Sequence, residues 1–127
     1  MRYRSTAAVT ALIAGVLCGC AANAATVKVN VTCAGDDPRI AFAADAIKKA
    51  LKECGAAVVD GAADAEIYFD TFESGLGPQA FRIHREGGHQ FRVTGGDALG
   101  AMYGGLELAE MIELGGDSGD WERDRRT

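Results

Sequence analysis

The chain has 127 residues, of which 48% are hydrophobic and 24% charged, with 17 glycines and 2 prolines, which is the composition of a single globular domain rather than of a disordered or fibrous protein. Its 13 basic against 18 acidic residues give a formal net charge of −5, so the sequence argues against a nucleic-acid binder or a protein held to anionic lipids by charge. It is also too short for a (β/α)₈ barrel enzyme, which takes about 250 residues.

The first 24 residues have the features of an export signal. Arg2 and Arg4 form a cationic start, residues 7–17 form a mostly apolar stretch, and Ala22 and Ala24 are the small residues that a signal peptidase needs. The apolar stretch is shorter than the roughly 20 residues that a membrane-spanning helix requires. We therefore predict a signal peptide over residues 1–24 and an exported protein, either periplasmic or extracellular.

An alternative interpretation of the same segment is a lipoprotein signal. The recognition sequence is then Leu17-Cys18-Gly19-Cys20, and Cys20 carries the lipid, although cysteine is unusual two positions before the acceptor. On this interpretation the signal ends before Cys20 and the protein is anchored to a membrane. We predict no other contact with a membrane and none with a nucleic acid.

Two cysteines remain after cleavage at Ala24, namely Cys33 and Cys54. Exported proteins often form disulfides. However, Cys33 is expected to end a strand and Cys54 to end the helix that runs back along it, which separates the two by about 20 Å. A disulfide needs α-carbons within about 7 Å. We predict two small buried hydrophobic side chains, with no metal site and no cofactor.

The start of the exported chain predicts a strand followed by a helix. Residues 26–31 alternate between apolar and polar side chains, which is typical of a strand with one buried face. Asp37 and Pro38 predict the helix start, because aspartate caps free amides and proline needs none, and Gly55 provides a left-handed end. Apolar residues recur along one side of this helix: Ile40, Ala44, Ile47, Leu51 and Cys54.

Residues 65–70 alternate again and predict a second strand, and residues 80–94 predict a hairpin. The length of the hairpin loop follows from the apolar pattern. A three-residue loop at 86–88 pairs Ile83 with Phe91 and keeps the apolar side chains of both strands on one face, whereas a two-residue loop places them on opposite faces.

Asp97 predicts the start of a second helix over residues 98–114, which ends at Gly115. The element order is then β-α-β-β-β-α. Because crossover connections are right-handed, both helices are expected on one face of the sheet. We predict an α+β fold over residues 25–114, a two-layer sandwich with one mostly antiparallel sheet, and a polar tail or truncated linker over residues 115–127.

The open face of the predicted sheet is polar, as a one-sided sheet must be. Four of its side chains are candidates for holding a saccharide or a protein: Tyr68, Arg82, His84 and Arg92. The turn at Gly95 and Gly96 lacks the order of a phosphate-binding loop, and His84 and His89 are expected on opposite faces. We therefore predict no catalytic residue, no cofactor-binding residue and no metal ligand.

The second helix has two apolar faces. Leu99, Tyr103 and Leu106 lie opposite its core face. Gly104 and Gly105 each cost about 1 kcal/mol relative to alanine in a helix, so the helix backbone is expected to lie close against another surface. The sheet covers only one face. We predict that Leu99, Tyr103 and Leu106 pack against a second partner.

The segment from the hairpin through the second helix contains the pattern G-x-D-x-x-G-x-x-Y-G-x-x-x-L, which falls on Gly95, Asp97, Gly100, Tyr103, Gly104 and Leu108. In this pattern the chain resembles the non-catalytic α/β domain that precedes the catalytic barrel in β-N-acetylhexosaminidases, α-glucuronidases and related secreted glycoside hydrolases. The resemblance covers roughly residues 26–114. It implies that both helices lie between the sheet and a following barrel, which is the second partner of the last helix.

The resemblance also implies that catalysis lies in the barrel. In hexosaminidases the catalytic acids form an adjacent aspartate-glutamate pair, and no such dipeptide occurs in this sequence. The resemblance therefore implies a non-catalytic accessory domain of an exported carbohydrate-active enzyme, truncated or detached from its glycosidase barrel. The alternative is a free-standing exported module that binds a saccharide or a protein. An enzyme in its own right needs paired carboxylates in a cleft.

Overall fold

The computed structural model describes residues 26–87, 89–115 and 123–125. The predicted signal peptide, including Cys20, and most of the predicted tail lie outside the described residues. The elements in chain order are β1 Lys28–Cys33, α1 Pro38–Glu53, β2 Ala57–Val58, β3 Ala65–Phe69, β4 Phe81–Arg85, β5 Gln90–Gly95, α2 Ala98–Glu113 and β6 Arg123–Arg125.

The strands form one sheet in the order β2-β1-β3-β5-β4-β6. The β1–β2, β1–β3 and β3–β5 pairs are parallel, and the β4–β5 and β4–β6 pairs are antiparallel. The predicted α+β fold is confirmed, but the prediction of a mostly antiparallel sheet is wrong, since the sheet is mixed. The reason is that β5, not β4, lies next to β3. The chain forms β4 one position further out and then turns back, so β5 runs antiparallel to β4 and parallel to β3.

Two strands were not predicted. β2 has two residues and β6 three, which is too short for the alternation of apolar and polar side chains to show. β6 lies within the segment predicted as a polar tail, and it pairs with the outer edge of β4 through Phe81 and Arg125. Pairing of this edge satisfies backbone groups of β4 that the hairpin alone leaves open.

The hydrophobic core lies between the sheet and the two helices, which also pack against each other. Its fully buried side chains include Val29, Ile67, Phe69, Phe91 and Val93 from the sheet and Ile47, Leu51, Leu108 and Ile112 from the helices. Within the described residues, neither helix is long and apolar enough to cross a membrane.

α1 begins and ends as predicted. Asp37 accepts a hydrogen bond from the Arg39 backbone amide at 2.9 Å, Pro38 occupies the first position, and Gly55 has a φ of 99°. Cys54 caps the end of α1, and its Sγ atom donates a hydrogen bond to the Ile112 carbonyl oxygen at 3.5 Å. It packs at the edge of the core and is not part of a disulfide.

Cys33 is also a free, half-buried thiol at the edge of the core. Partial burial raises its pKa, because a thiolate is less well solvated there. The prediction that Cys33 and Cys54 are buried hydrophobic side chains is therefore wrong in the extent of burial, because both side chains are only half-buried. Cys33 is the last residue of β1 and Cys54 caps the end of α1, and at these ends the core is no longer covered on all sides.

The hairpin has an odd loop, as predicted, but its register differs by two residues. Ile83 pairs with Val93 rather than Phe91, and the Glu86 amide donates to the Gln90 carbonyl at 2.8 Å, so the loop comprises residues 87–89. The prediction of a loop at 86–88 is wrong. Gly87 has a φ of 113°, which glycine adopts readily, and it takes the first loop position. A shift of two residues keeps every side chain on its predicted face.

Two glycines at the start of α2, Gly96 and Gly100, pack against a neighbouring loop. A β-carbon at Gly96 would lie 1.7 Å from the Gly77 carbonyl oxygen, and one at Gly100 would lie 2.1 Å from the Ala80 carbonyl oxygen. The Asp97 carboxylate accepts a hydrogen bond from the backbone amide of Gly100 at 2.8 Å and another from the backbone amide of Gln79 at 3.2 Å. The pattern therefore holds residues 77–80 against the start of α2, which is a structural role.

The glycines in the middle of α2 allow close packing within the domain. A β-carbon at Gly104 would lie 3.0 Å from the side chains of Phe81 and Val93, and one at Gly105 would lie 2.7 Å from those of Ala43 and Phe69. The expected close approach of the helix backbone is confirmed. The surface that it approaches is the sheet together with α1.

Candidate functional site

The open face of the sheet brings three of the four predicted ligand residues into one row. Tyr68 of β3 pairs with Arg92 of β5, and Arg92 pairs with His84 of β4, so their side chains are neighbours across the strands. Arg82 lies in the next row, opposite Thr94, and its guanidinium is 3.5 Å from the Glu73 carboxylate. The row follows from the alternation of side chains along each strand.

Arg92 is the centre of a network on this face. Its Nε and Nη2 atoms donate to one Glu86 oxygen at 3.2 and 2.8 Å, and its Nη1 atom donates to Asp70. The guanidinium carbon also lies 5.2 Å from the centroid of the Tyr68 ring, which is within range of a cation–π contact. Two carboxylates and one ring therefore hold Arg92 in a fixed orientation.

The pKa values of this network reflect these contacts. Hydrogen bonds to Glu86 and Asp70 raise the pKa of Arg92 above its usual value. For Asp70, partial burial raises the pKa, but hydrogen bonds from Arg92 and Thr71 outweigh it, so the net pKa lies below the usual value. Both groups therefore remain charged at neutral pH.

A hollow of about 230 Å³ opens beside this network. Its polar lining comprises Glu66, Tyr68, Glu86, Gln90 and Arg92. A neighbouring hollow of about 340 Å³ shares Glu66, Glu86 and Gln90, so the two are adjacent near the end of the hairpin. The Nδ1 atom of His89, which lines the second hollow, is buried without a hydrogen-bond partner.

The hollow contains part of the predicted ligand face and residues that the prediction missed. Tyr68 and Arg92 line the hollow, whereas Arg82 and His84 do not. Three residues join them that were not among the predicted ligand residues: Glu66, Glu86 and Gln90. The alternation of β3 already put Glu66 on the open face. Glu86 was not predictable, because its position depends on the register of the hairpin.

The outer face of α2 is less exposed than the sequence implied. Tyr103 is 41% exposed, whereas Leu99 and Leu106 are half-buried, and Leu106 packs at the edge of the core. Phe42 of α1 is 61% exposed, so it lies on the face of α1 that points away from the core. α1 and α2 pack against each other near Ala43 and Gly105. We call Phe42, Leu99, Tyr103 and Leu106 the outer helix face.

The polar groups of the hollow suit hydrogen bonding rather than metal coordination. Among the residues that the structure describes, no three His, Cys, Asp or Glu side chains are grouped to hold a metal ion. Glu66 accepts a long hydrogen bond of 3.4 Å from the Gln90 amide, and Glu86 is bound to Arg92. The hollow thus offers two carboxylates, an amide, a guanidinium and an aromatic ring to a small polar ligand.

Comparison with known proteins points to glycoside hydrolases. No protein-family model and no curated protein matches the chain. Among solved structures, a GH138 enzyme targeting pectin rhamnogalacturonan II is similar, with 29% identity and a TM-score of 0.60. The match covers 76% of this chain but only 15% of the enzyme chain. The described fold is therefore a glycoside-hydrolase-related domain.

Proposed function

We propose that this chain is a non-catalytic accessory domain of an exported carbohydrate-active enzyme, and that it packs against a glycosidase barrel. The likeness to the GH138 enzyme is the observation that carries the proposal, because a match over 76% of this chain accounts for only 15% of that enzyme. A region of this size is one domain of a much larger protein, and the remaining length is ample for a barrel.

The outer helix face supports docking against a barrel. Phe42 at 61% exposure and Tyr103 at 41% are large apolar side chains on the side of the helices that faces away from the sheet. Covering such side chains stabilises a complex by about 1.5–3 kcal/mol each when they are fully buried. The half-buried Leu99 and Leu106 extend this surface.

The pattern on α2 supports a finer assignment. The positions Gly95, Asp97, Gly100 and Gly104 match the pattern of the N-terminal domain in β-N-acetylhexosaminidases and α-glucuronidases. In this chain three of these glycines and Asp97 hold the start of α2 against the loop and the sheet. The proposed parent is therefore a secreted enzyme with such a domain, and residues 1–24 act as its export signal, with lipidation at Cys20 as the alternative.

The proposal is tested by finding the barrel and measuring docking. The DNA after codon 127 is sequenced, and every frame is searched for a glycosidase barrel. The encoded barrel is then produced together with this chain, and binding is measured by calorimetry for the parent chain and for Phe42→Ser and Tyr103→Ser. We expect binding that each substitution weakens by about tenfold, which corresponds to 1.4 kcal/mol.

The matched control is Phe72→Ser. Phe72 is 49% exposed and lies in the loop after β3 rather than on either helix. It should leave barrel binding unchanged, and circular dichroism checks that all three variants fold. Absence of an encoded barrel, or equal loss of binding in Phe72→Ser, would contradict the proposal.

A further inference from the structure

We infer that the hollow on the open face of the sheet binds an uncharged saccharide. This site is independent of the proposed barrel docking, because it lies on the side of the sheet that the helices do not cover. The residues that carry the inference are Glu66, Tyr68, Glu86, Gln90 and Arg92.

The size of the two hollows fits one or a few sugar rings. The first hollow, of about 230 Å³, is smaller than the roughly 300–1,000 Å³ of sites for drug-sized ligands. The second, of about 340 Å³, is adjacent to it and is lined by Gln90 and His89 among others. A single ring beside Tyr68 therefore has room for a neighbouring ring in the adjacent hollow.

The side chains offer the contacts that a sugar needs. Sugar hydroxyls donate and accept hydrogen bonds, and the Glu66 and Glu86 carboxylates accept while the Gln90 amide does both. The bond from Gln90 to Glu66 is long, at 3.4 Å, so a hydroxyl group of the ligand replaces it at little cost. Tyr68 supplies an aromatic ring for contact with the apolar side of a sugar, although Arg92 covers one face of that ring.

The charges around the hollow select against acidic sugars. The Arg92 guanidinium is paired with the carboxylates of Asp70 and Glu86, and Glu66 adds a third carboxylate to the lining of the hollow. Arg92 is bound to two of them, and so it cannot serve as a free partner for a sugar carboxylate. A uronic acid therefore meets excess negative charge, whereas an uncharged ring does not.

The network also prepares the site before a ligand arrives. Arg92 is held by Asp70 and Glu86 and lies over the Tyr68 ring at 5.2 Å. Side chains that are already fixed lose less conformational entropy on binding. Arg92 is accordingly a positioning residue for Tyr68 rather than a charge that attracts the ligand.

The test uses nuclear magnetic resonance of the full chain labelled with ¹⁵N. The uncharged probes are cellotriose, xylotriose, maltotriose, mannotriose and diacetylchitobiose, and the acidic probe is trigalacturonate. We expect at least one uncharged probe to shift the amide signals of Glu66, Tyr68 and Gln90 in a saturable way. Trigalacturonate should leave them unchanged.

Variants then separate this site from a general effect. Tyr68→Ala should weaken binding by about tenfold, whereas Tyr68→Phe, which keeps the ring and the fold, should bind nearly as well as the parent. Tyr103→Ala, on the opposite side of the domain, should bind like the parent.

The inference is overturned if none of the five uncharged probes shifts these signals, or if trigalacturonate binds the parent as well as they do. Equal weakening by Tyr68→Ala and Tyr103→Ala also contradicts it. Because the barrel-docking variants lie on the outer helix face, failure of this inference leaves that proposal standing, and failure of docking leaves this one standing.

Discussion

Replacing Gly105 by alanine should destabilise the domain, although alanine is the better helix former by about 1 kcal/mol. The new β-carbon would lie 2.7 Å from the Ala43 β-carbon and 2.7 Å from Cζ of Phe69. Ala43 and Phe69 are both fully buried and belong to α1 and β3, so neither moves without disturbing its own element. Overpacking of this kind costs about 1–3 kcal/mol, which exceeds the gain in helix propensity.

We therefore expect Gly105→Ala to lower the free energy of unfolding by up to about 2 kcal/mol in urea denaturation, which is the overpacking cost less the gain in helix propensity. The matched control is Gly75→Ala, where no atom lies within 4 Å of the new β-carbon, so it should be neutral or stabilise by up to about 1 kcal/mol. Ala43→Gly should lower the free energy of unfolding less in the Gly105→Ala background than in the parent chain. In that background it removes one of the two close contacts of the new β-carbon. A Gly105→Ala protein more stable than the parent would refute the close-packing account.

Two further predictions concern Asp97 and Asp70. Asp97→Ala removes the cap of α2 and the acceptor for the Gln79 amide, so the free energy of unfolding should fall by about 2 kcal/mol, whereas Asp97→Asn keeps an acceptor and should lose less than half of that. Equal losses in the two variants would show that the side-chain acceptor is not the cause. Because the pKa of Asp70 is lower in the folded than in the unfolded state, its stabilising contribution is present above the unfolded value of about 3.9 and is lost as pH falls through the folded value. Arg92→Gln should raise the pKa of Asp70, as followed by ¹³C resonances of its carboxyl carbon, and an unchanged pKa would argue against the Arg92 contact.

Local signals predicted the helices and the faces of the strands well. Asp37, Pro38 and Gly55 delimit α1 through backbone geometry that neighbouring residues alone determine. The odd hairpin loop follows from the period of two in the apolar pattern, because one face of each strand is buried. These features need no knowledge of which elements meet in space.

Such local signals could not predict the order of the strands or the register of the hairpin. A shift of two residues leaves every side chain on the same face, so the apolar pattern cannot distinguish Ile83 paired with Phe91 from Ile83 paired with Val93. The position of β4 outside β5 likewise depends on long-range packing. For that reason the sequence identified Tyr68 and Arg92 but missed Glu86, which the observed register brings to Arg92.

Hydrogen–deuterium exchange on the chain, alone and with the glycosidase barrel that the proposal requires, tests the central claim most directly. The docking proposal predicts that amides of α1 and α2 around Phe42 and Tyr103 become protected on binding, while those of the open sheet face around Tyr68 and Arg92 do not change. Protection of the open face instead, or no protection at either surface, would contradict an accessory domain that docks through its helices.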